Sequence, residues 1–144
     1  MSSANRAQPV PRVVNQIWGF FIRRGLAPKT MHLLTVKGRK TGKLHTLVVG
    51  LVTQNAEQFL VAPYGEVNWV LNARAAGQVL LRHGSQEWTA HIEELSPAQA
   101  GLVLKQYLAE HLVTRSYFDV GPTAPASAFE QEANRHPVFH LQPI

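Results

Sequence analysis

Apolar positions along the chain change period several times, and each change marks an element. Between Arg12 and Leu26, the residues Val13, Val14, Ile17, Trp18, Phe21 and Ile22 recur at helical spacing, with Arg23 and Arg24 near the end. That spacing predicts an amphipathic helix closed by Gly25 or Pro28. The preceding residues 1–11 are polar, contain Pro9 and Pro11, and read as a flexible N-terminal arm. From His32 onward the pattern shortens to strand-like runs, His32–Val36, Leu44–Thr53 and Gln58–Ala62, separated by the basic turn Lys37–Lys43 and by Gln54–Glu57. Pro63-Tyr64-Gly65 interrupts the third run, and Val67–Ala76 returns to helical spacing with Gly77 just beyond it.

Gln78–Arg82 and Glu87–Glu94 flank His83-Gly84-Ser85-Gln86 as a further hairpin. Ser96-Pro97-Ala98-Gln99 places an N-cap, a proline at the first helical position and a capping-box partner in order, so a helix is expected to run to about Leu112. Thr114–Arg135 is rich in Pro and Ala without a clear period, and His136–Leu141 reads as a closing strand. Hairpins follow one another without crossover helices. This favours a mainly β fold with flanking helices, a closed or partly closed antiparallel barrel, over a doubly wound sheet. One domain is expected over residues 12–144, without repeats.

Composition narrows the function classes. The chain has 144 residues, 45% hydrophobic and 16% charged, enough for a packed core and too apolar for a disordered chain. It has no cysteine, which excludes disulfides, thiolate metal sites and a Cys nucleophile. No apolar run approaches the ~20 residues that cross a bilayer, and the start lacks the order of a signal peptide, so a cytoplasmic protein is expected. The formal charge of +5 favours an anionic partner without choosing among phosphate, polycarboxylate, nucleic acid and lipid headgroup.

The basic turn is the strongest local candidate for such a partner. Lys37, Arg39, Lys40 and Lys43 crowd cations into one hairpin tip, where Gly38 and Gly42 let backbone amides approach an oxyanion. A solvated tip whose lysines discourage edge pairing is the competing reading. The spacing does not match a P-loop, because Leu44 follows Lys43 where Ser or Thr is required. A second candidate is Leu60–Gly65 followed by Asn68, Trp69, Asn72 and Arg74, where a strand end, a Gly turn and a helix N-terminus meet. Trp69 as plain core and Pro63-Tyr64-Gly65 as a plain turn are the alternatives there. The histidines show no HExxH spacing, and no metal site is expected.

Taken together, the two segments resemble a known family. Leu34-Thr35-Val36-Lys37-Gly38-Arg39-Lys40-Thr41-Gly42 is similar to the signature turn of deazaflavin-dependent nitroreductases. Val61-Ala62-Pro63-Tyr64-Gly65, continuing through Asn68-Trp69-Val70-Leu71-Asn72-Ala73-Arg74-Ala75-Ala76-Gly77, resembles that family's second cofactor segment. The resemblance implies an FMN-binding-like split antiparallel β-barrel that uses coenzyme F420, the reduced 8-hydroxy-5-deazaflavin, to pass hydride to a nitro compound, quinone or enone. It assigns Lys37, Arg39, Lys40 and Thr41 to the cofactor's phosphate and acidic glutamyl tail. It assigns Ala62, Pro63, Tyr64 and Gly65 to the ring, and Asn68, Trp69 and Asn72 to the pocket wall. The chain departs from the family's pattern at Tyr64, where a small or basic residue is frequent, and at Val67-Asn68-Trp69-Val70, where Pro-x-Trp-Tyr is frequent.

In such an enzyme the chemistry belongs to the cofactor, and the protein aligns the acceptor and supplies a proton. Tyr107, Tyr117 and His111 are the candidate catalytic residues, with Phe118 and His32 as further acceptor contacts, because phenol and imidazole can donate while packing on a ring. Ordinary core packing is the competing reading for each. Two other functions remain open: a carrier of a fatty acid, another flavin or haem on the same barrel, and peripheral membrane contact through residues 12–26. Nucleic-acid binding is disfavoured, since the basic turn lacks interleaved aromatics. A homodimer is compatible with the sequence, which marks no interface.

Overall fold

The alternation that begins at His32 forms a strand in which Leu34 and Val36 face a buried interior while Thr35 and Lys37 face outward. The computed structural model describes residues 30–144. The arm 1–11 and the amphipathic helix 12–26 lie outside the described residues. Six strands follow in sequence: β1 (Met31–Lys37), β2 (Leu44–Gln54), β3 (Glu57–Val61), β4 (Gln78–His83), β5 (Gln86–Glu94) and β6 (Val138–Pro143). They close into an antiparallel barrel in the order β1-β2-β3-β6-β5-β4, with Leu33–Thr35 of β1 paired to Leu80–Arg82 of β4 at the seam. Closure leaves no unpaired sheet edge among these strands, and it decides between the closed and partly closed barrels that the run of hairpins allows.

Local chemistry sets the turns. Asn55 and Ala56 both take positive φ, 52° and 66°, the geometry of the two-residue hairpin that matches strand twist. Strand β6 begins at Val138 rather than at His136, because Pro137 has no N–H to give a ladder and its carbonyl instead accepts from Ala62 N–H at 2.9 Å.

Helix α1 (Asn68–Ala76) follows β3 and joins the barrel interior: Val67, Val70 and Ala73 belong to the same buried cluster as Leu34, Leu51, Leu60, Leu81 and Phe139. It stops at Gly77, whose φ of 75° lets its N–H reach back to Ala73 O at 2.8 Å. Helix α2 (Pro97–Glu110) starts with the predicted capping box of Ser96 and Gln99. It ends sooner than the expected Leu112. His111 leaves helical geometry, and both its backbone N–H and its ring Nδ1 turn to the Tyr107 carbonyl.

The segment that gave no period contains a 3-10 turn (Leu112–Tyr117) and the short helix α3 (Ala126–Glu130). These pack with α2 over the outer side of β2, β3 and β6, where Val52, Val61 and Val138 meet Val103, Leu104, Tyr107, Leu108, Phe118 and Phe129 in a second core. Gly101 makes this contact possible, since a Cβ there would meet the Ala126 carbonyl at 2.7 Å.

Candidate active site

The basic turn between β1 and β2 is built from its own backbone. Gly38 N–H donates to Lys43 O at 2.7 Å, Gly42 N–H to Gly38 O at 3.0 Å and Lys43 N–H to Thr41 Oγ at 3.2 Å, with Gly42 at φ 77°. Gly38 is buried against His45 and Lys43 O, leaving little room for a Cβ. The amides of both glycines are therefore used inside the turn. This corrects the expectation that they face an oxyanion: the anion-binding capacity lies with the exposed side chains of Lys37, Arg39, Lys40 and Lys43. A cleft of about 600 Å³ opens beside the turn, lined by Lys37, Gly38, Arg39 and Leu44 and, across it, by Ala75 and Gln78.

The two sequence segments meet at one atom. Asn72 is buried in α1, and its Oδ1 accepts both the Arg39 backbone N–H at 3.0 Å and the Arg39 guanidinium at 2.7 Å. Asn68, one turn earlier, is exposed. Trp69 is half-buried against the barrel core, its ring 6.5 Å from that of Phe139. Arg74, part of the second segment, is taken up by ion pairs to Glu66 at 2.5 Å and Glu94 at 2.8 Å that brace α1 against β5. Those carboxylates hold its guanidinium firmly protonated.

The loop between β3 and α1 presents backbone more than side chains. Ala62 points into the core, Gly65 takes φ 89°, and Gly65 N–H donates to Ala62 O at 3.3 Å. Tyr64 is half-buried, its ring edge-on to Tyr117 with centroids 4.7 Å apart. Burial, with Tyr117 beside it, raises the Tyr64 pKa above the usual phenol value, so this hydroxyl stays protonated at neutral pH.

Tyr107 and His111 stack at 4.3 Å, and Tyr107, close enough to Tyr64 to feel its charge, is pushed up mainly by burial. The structure thus gathers Tyr64, Tyr107, Tyr117 and His111 beside the Ala62–Gly65 loop. His32 is elsewhere, buried between His83 and Trp88. Phe118 belongs to the second core.

Three contributors are not evident from sequence. Gly50 in β2 lies directly under His111: a Cβ there would stand 2.6 Å from Nε2. Burial lowers the pKa of His111, and its Nε2 is buried without a hydrogen-bond partner among the described residues. An interior strand glycine is the one signal in the sequence, since it often marks a close approach. Glu132, behind the loop, sits in a stretch whose composition suggests no element, and His136 stands just after it, where a strand rather than a site residue is expected. His136 and His140 have an i, i+4 spacing but diverge, His136 toward Pro63 and Glu132 and His140 toward Glu57.

The barrel, the cationic turn and the loop at the end of β3 define an FMN-binding-like split barrel. Solved structures agree with that fold. An F420-H2 dependent reductase, FDR-A, is 19% identical over 79% of this chain and 95% of its own, with a TM-score of 0.55. A structure described as a domain-swapped dimer is 16% identical over 88% of this chain and 95% of its own, with a TM-score of 0.57. A FAD-binding protein from Mesorhizobium loti is 13% identical over 87% and 88%, with a TM-score of 0.50. No curated protein matches. The chain belongs to the F420H(2)-dependent quinone reductase family, whose model matches residues 13–115. It is accordingly an F420-dependent oxidoreductase with coenzyme F420 as cofactor, and the carrier alternative gives way.

The residues present fit that coenzyme. A polyanionic tail calls for exposed cations on a fixed turn, and the Arg39–Asn72 contact fixes it. A flat ring with polar edges calls for backbone donors beside aromatic side chains. Of the Ala62–Gly65 amides, Ala62 N–H is taken by Pro137 O and Gly65 N–H by Ala62 O, so the loop offers one such donor, Tyr64 N–H, next to the Tyr64 and Tyr117 rings. Among the described residues, no helix is long and apolar enough to cross a membrane.

Proposed function

We propose that the chain reduces an apolar quinone-like acceptor, with the coenzyme's phosphate and glutamyl tail on Lys37, Arg39, Lys40 and Thr41 and its ring along Ala62, Pro63, Tyr64 and Gly65. The observation that carries this reading is the meeting of Arg39 and Asn72, which ties the tail-binding turn to the helix that follows the ring loop. Asn72 serves as a brace for the turn, while Asn68 and Trp69 border the pocket. When bound, the reduced coenzyme supplies hydride.

The protein's share is orientation and a proton. Hydride transfer leaves a quinone one proton short of the hydroquinone. Tyr117, half-buried at the rim and in contact with Tyr64, is the group we assign to deliver it. Tyr107 and His111 form the wall behind, and the low pKa of His111 keeps it neutral there. An apolar acceptor is favoured over a nitro compound or enone because Leu112 and Val113, 57% and 86% exposed, lie on the same 3-10 turn as Tyr117. A homodimer and a cytoplasmic location complete the proposal, the former motivated by the domain-swapped neighbour.

The test is anaerobic turnover of F420H2 with a soluble naphthoquinone, a nitroimidazole and a cyclic enone, followed by recovery of the oxidised coenzyme's fluorescence. The quinone should show the highest kcat/KM. Equal or better turnover of the nitro compound would reject the assignment of acceptor.

A further inference from the structure

Behind the Ala62–Gly65 loop lies a buried ionisable pair that the function proposed above leaves unused. Glu132, 1% exposed, follows α3. Its Oε2 accepts the Asp119 N–H at 2.8 Å, and its Oε1 accepts from Arg135 Nη2 at 2.8 Å and lies 3.3 Å from His136 Nε2. On the other side of the imidazole, His136 Nδ1 is 2.7 Å from the Pro63 carbonyl. A carbonyl only accepts, so Nδ1 carries a proton whether the ring is neutral or charged. The ring is stacked on Phe118, with centroids 4.0 Å apart and planes 20° apart.

Other contacts tie the same stretch to the loop. Ala62 N–H donates to Pro137 O at 2.9 Å, and a Cβ on Gly65 would lie 3.3 Å from Arg135 O. A carboxylate, an imidazole and a carbonyl therefore follow one another behind the loop, with Glu132 and His136 both shielded from water. Such buried contacts orient their targets closely, because breaking one strands a group that water cannot reach.

We infer that His136, stacked on Phe118, is a positioning residue: it holds the Pro63 carbonyl and so presents the Ala62–Gly65 backbone to the deazaflavin ring. The inference rests on the proposed ring site, since the same contacts without a ring beside them would only support the fold. His136 does not itself touch the reacting atoms in this arrangement. It acts through the peptide that it holds.

Two substitutions separate positioning from packing. His136→Phe keeps an aromatic ring on Phe118 and removes the donor, whereas His136→Asn keeps a donor near the Nδ1 position and removes the ring. Fluorescence titration with F420 should show binding weakened roughly tenfold in His136→Phe, the loss expected from one buried hydrogen bond. Binding should stay within about threefold of wild type in His136→Asn, even though that variant melts lower. Wild-type affinity in His136→Phe, or affinities that simply follow melting temperature, would overturn the inference.

A measurement on the wild-type protein does not depend on either variant folding. The His136 Nδ1–H resonance should be protected from exchange and should move when F420 is added, and a resonance unmoved at saturation overturns the inference as well. Tyr64→Ala distinguishes the two levels of the argument. If it weakens F420 binding while His136→Phe does not, the positioning role alone is wrong. If neither variant affects binding, the ring site itself is misplaced.

Discussion

Arg39 gives its backbone N–H and a guanidinium N–H to the same side-chain oxygen, Asn72 Oδ1, across 33 positions of sequence. The contact converts a hairpin tip, which would otherwise move freely, into a fixed platform. Replacing Asn72 by Leu keeps its approximate volume and removes the acceptor, stranding the Arg39 amide. The expected cost is about 1–3 kcal/mol of stability, with weaker F420 binding alongside. Asn72→Asp is the sharper case. It keeps the acceptor and adds a partner charge for Arg39, so stability should hold while the new negative charge opposes an anionic tail. Denaturant unfolding and F420 titration of both variants check this, and wild-type affinity in Asn72→Asp would remove the tail from this turn.

Lys40 offers a cleaner test of charge than Arg39, because Arg39 also serves the fold. Lys40→Ala should leave the melting temperature unchanged and weaken F420 binding roughly two- to fivefold at low salt, the scale of one exposed charge pair. Added salt should erase the difference. A deazaflavin lacking the phosphate and glutamates should bind wild type and variant alike. Titrations at two ionic strengths give the answer, and a salt-independent loss would point to a structural defect instead.

The same two residues show how much the sequence reveals. The turn was legible because glycine and lysine crowd one hairpin tip, and α1 because Val67, Val70 and Gly77 punctuate it. Their hydrogen bond was not, since no local pattern states which side chain a distant amide will meet. The barrel followed from successive hairpins, whereas its full closure did not, since the need to cover edges is met by a closed or a partly closed barrel. Gly50, Glu132 and His136 remained hidden for a different reason. Each works through a partner brought by tertiary packing, His111 over Gly50 and Pro63 beside His136, and α3 and the 3-10 turn that carry the packing are too short to impose a period.

Acid should loosen the protein in a defined window. His32, His111 and His136 all have pKa values lowered from the usual 6.5, mainly by burial. Each binds its proton more weakly folded than unfolded, so between the folded and unfolded values the unfolded chain holds more protons and stability rises with pH. Stability should be full above about pH 6.5 and fall as pH drops below it, levelling off under the folded values. For His136, Glu132 and the Pro63 carbonyl oppose the shift and Arg135 adds to it. His111→Phe keeps the stack on Tyr107 and removes one titrating ring, so its melting temperature should depend less steeply on pH between 7 and 5. A slope as steep as wild type would show that His111 is not part of the acid response.

Tyr117 and Tyr64 touch edge to face, yet the proposed chemistry separates their roles. Tyr117 delivers a proton at the rim, whereas Tyr64 shapes the ring loop with a hydroxyl made less acidic by burial. Tyr117→Phe keeps the aromatic contact and removes only the hydroxyl. Its kcat with the naphthoquinone should therefore drop roughly 100-fold, the scale of a lost general acid, while F420 affinity stays near wild type. Tyr64→Phe should leave kcat within about threefold, because its ring rather than its hydroxyl is used. Single-turnover oxidation of F420H2 measures the chemical step directly. A large loss in Tyr64→Phe with none in Tyr117→Phe would exchange the two roles, and no loss in either would assign the proton to water.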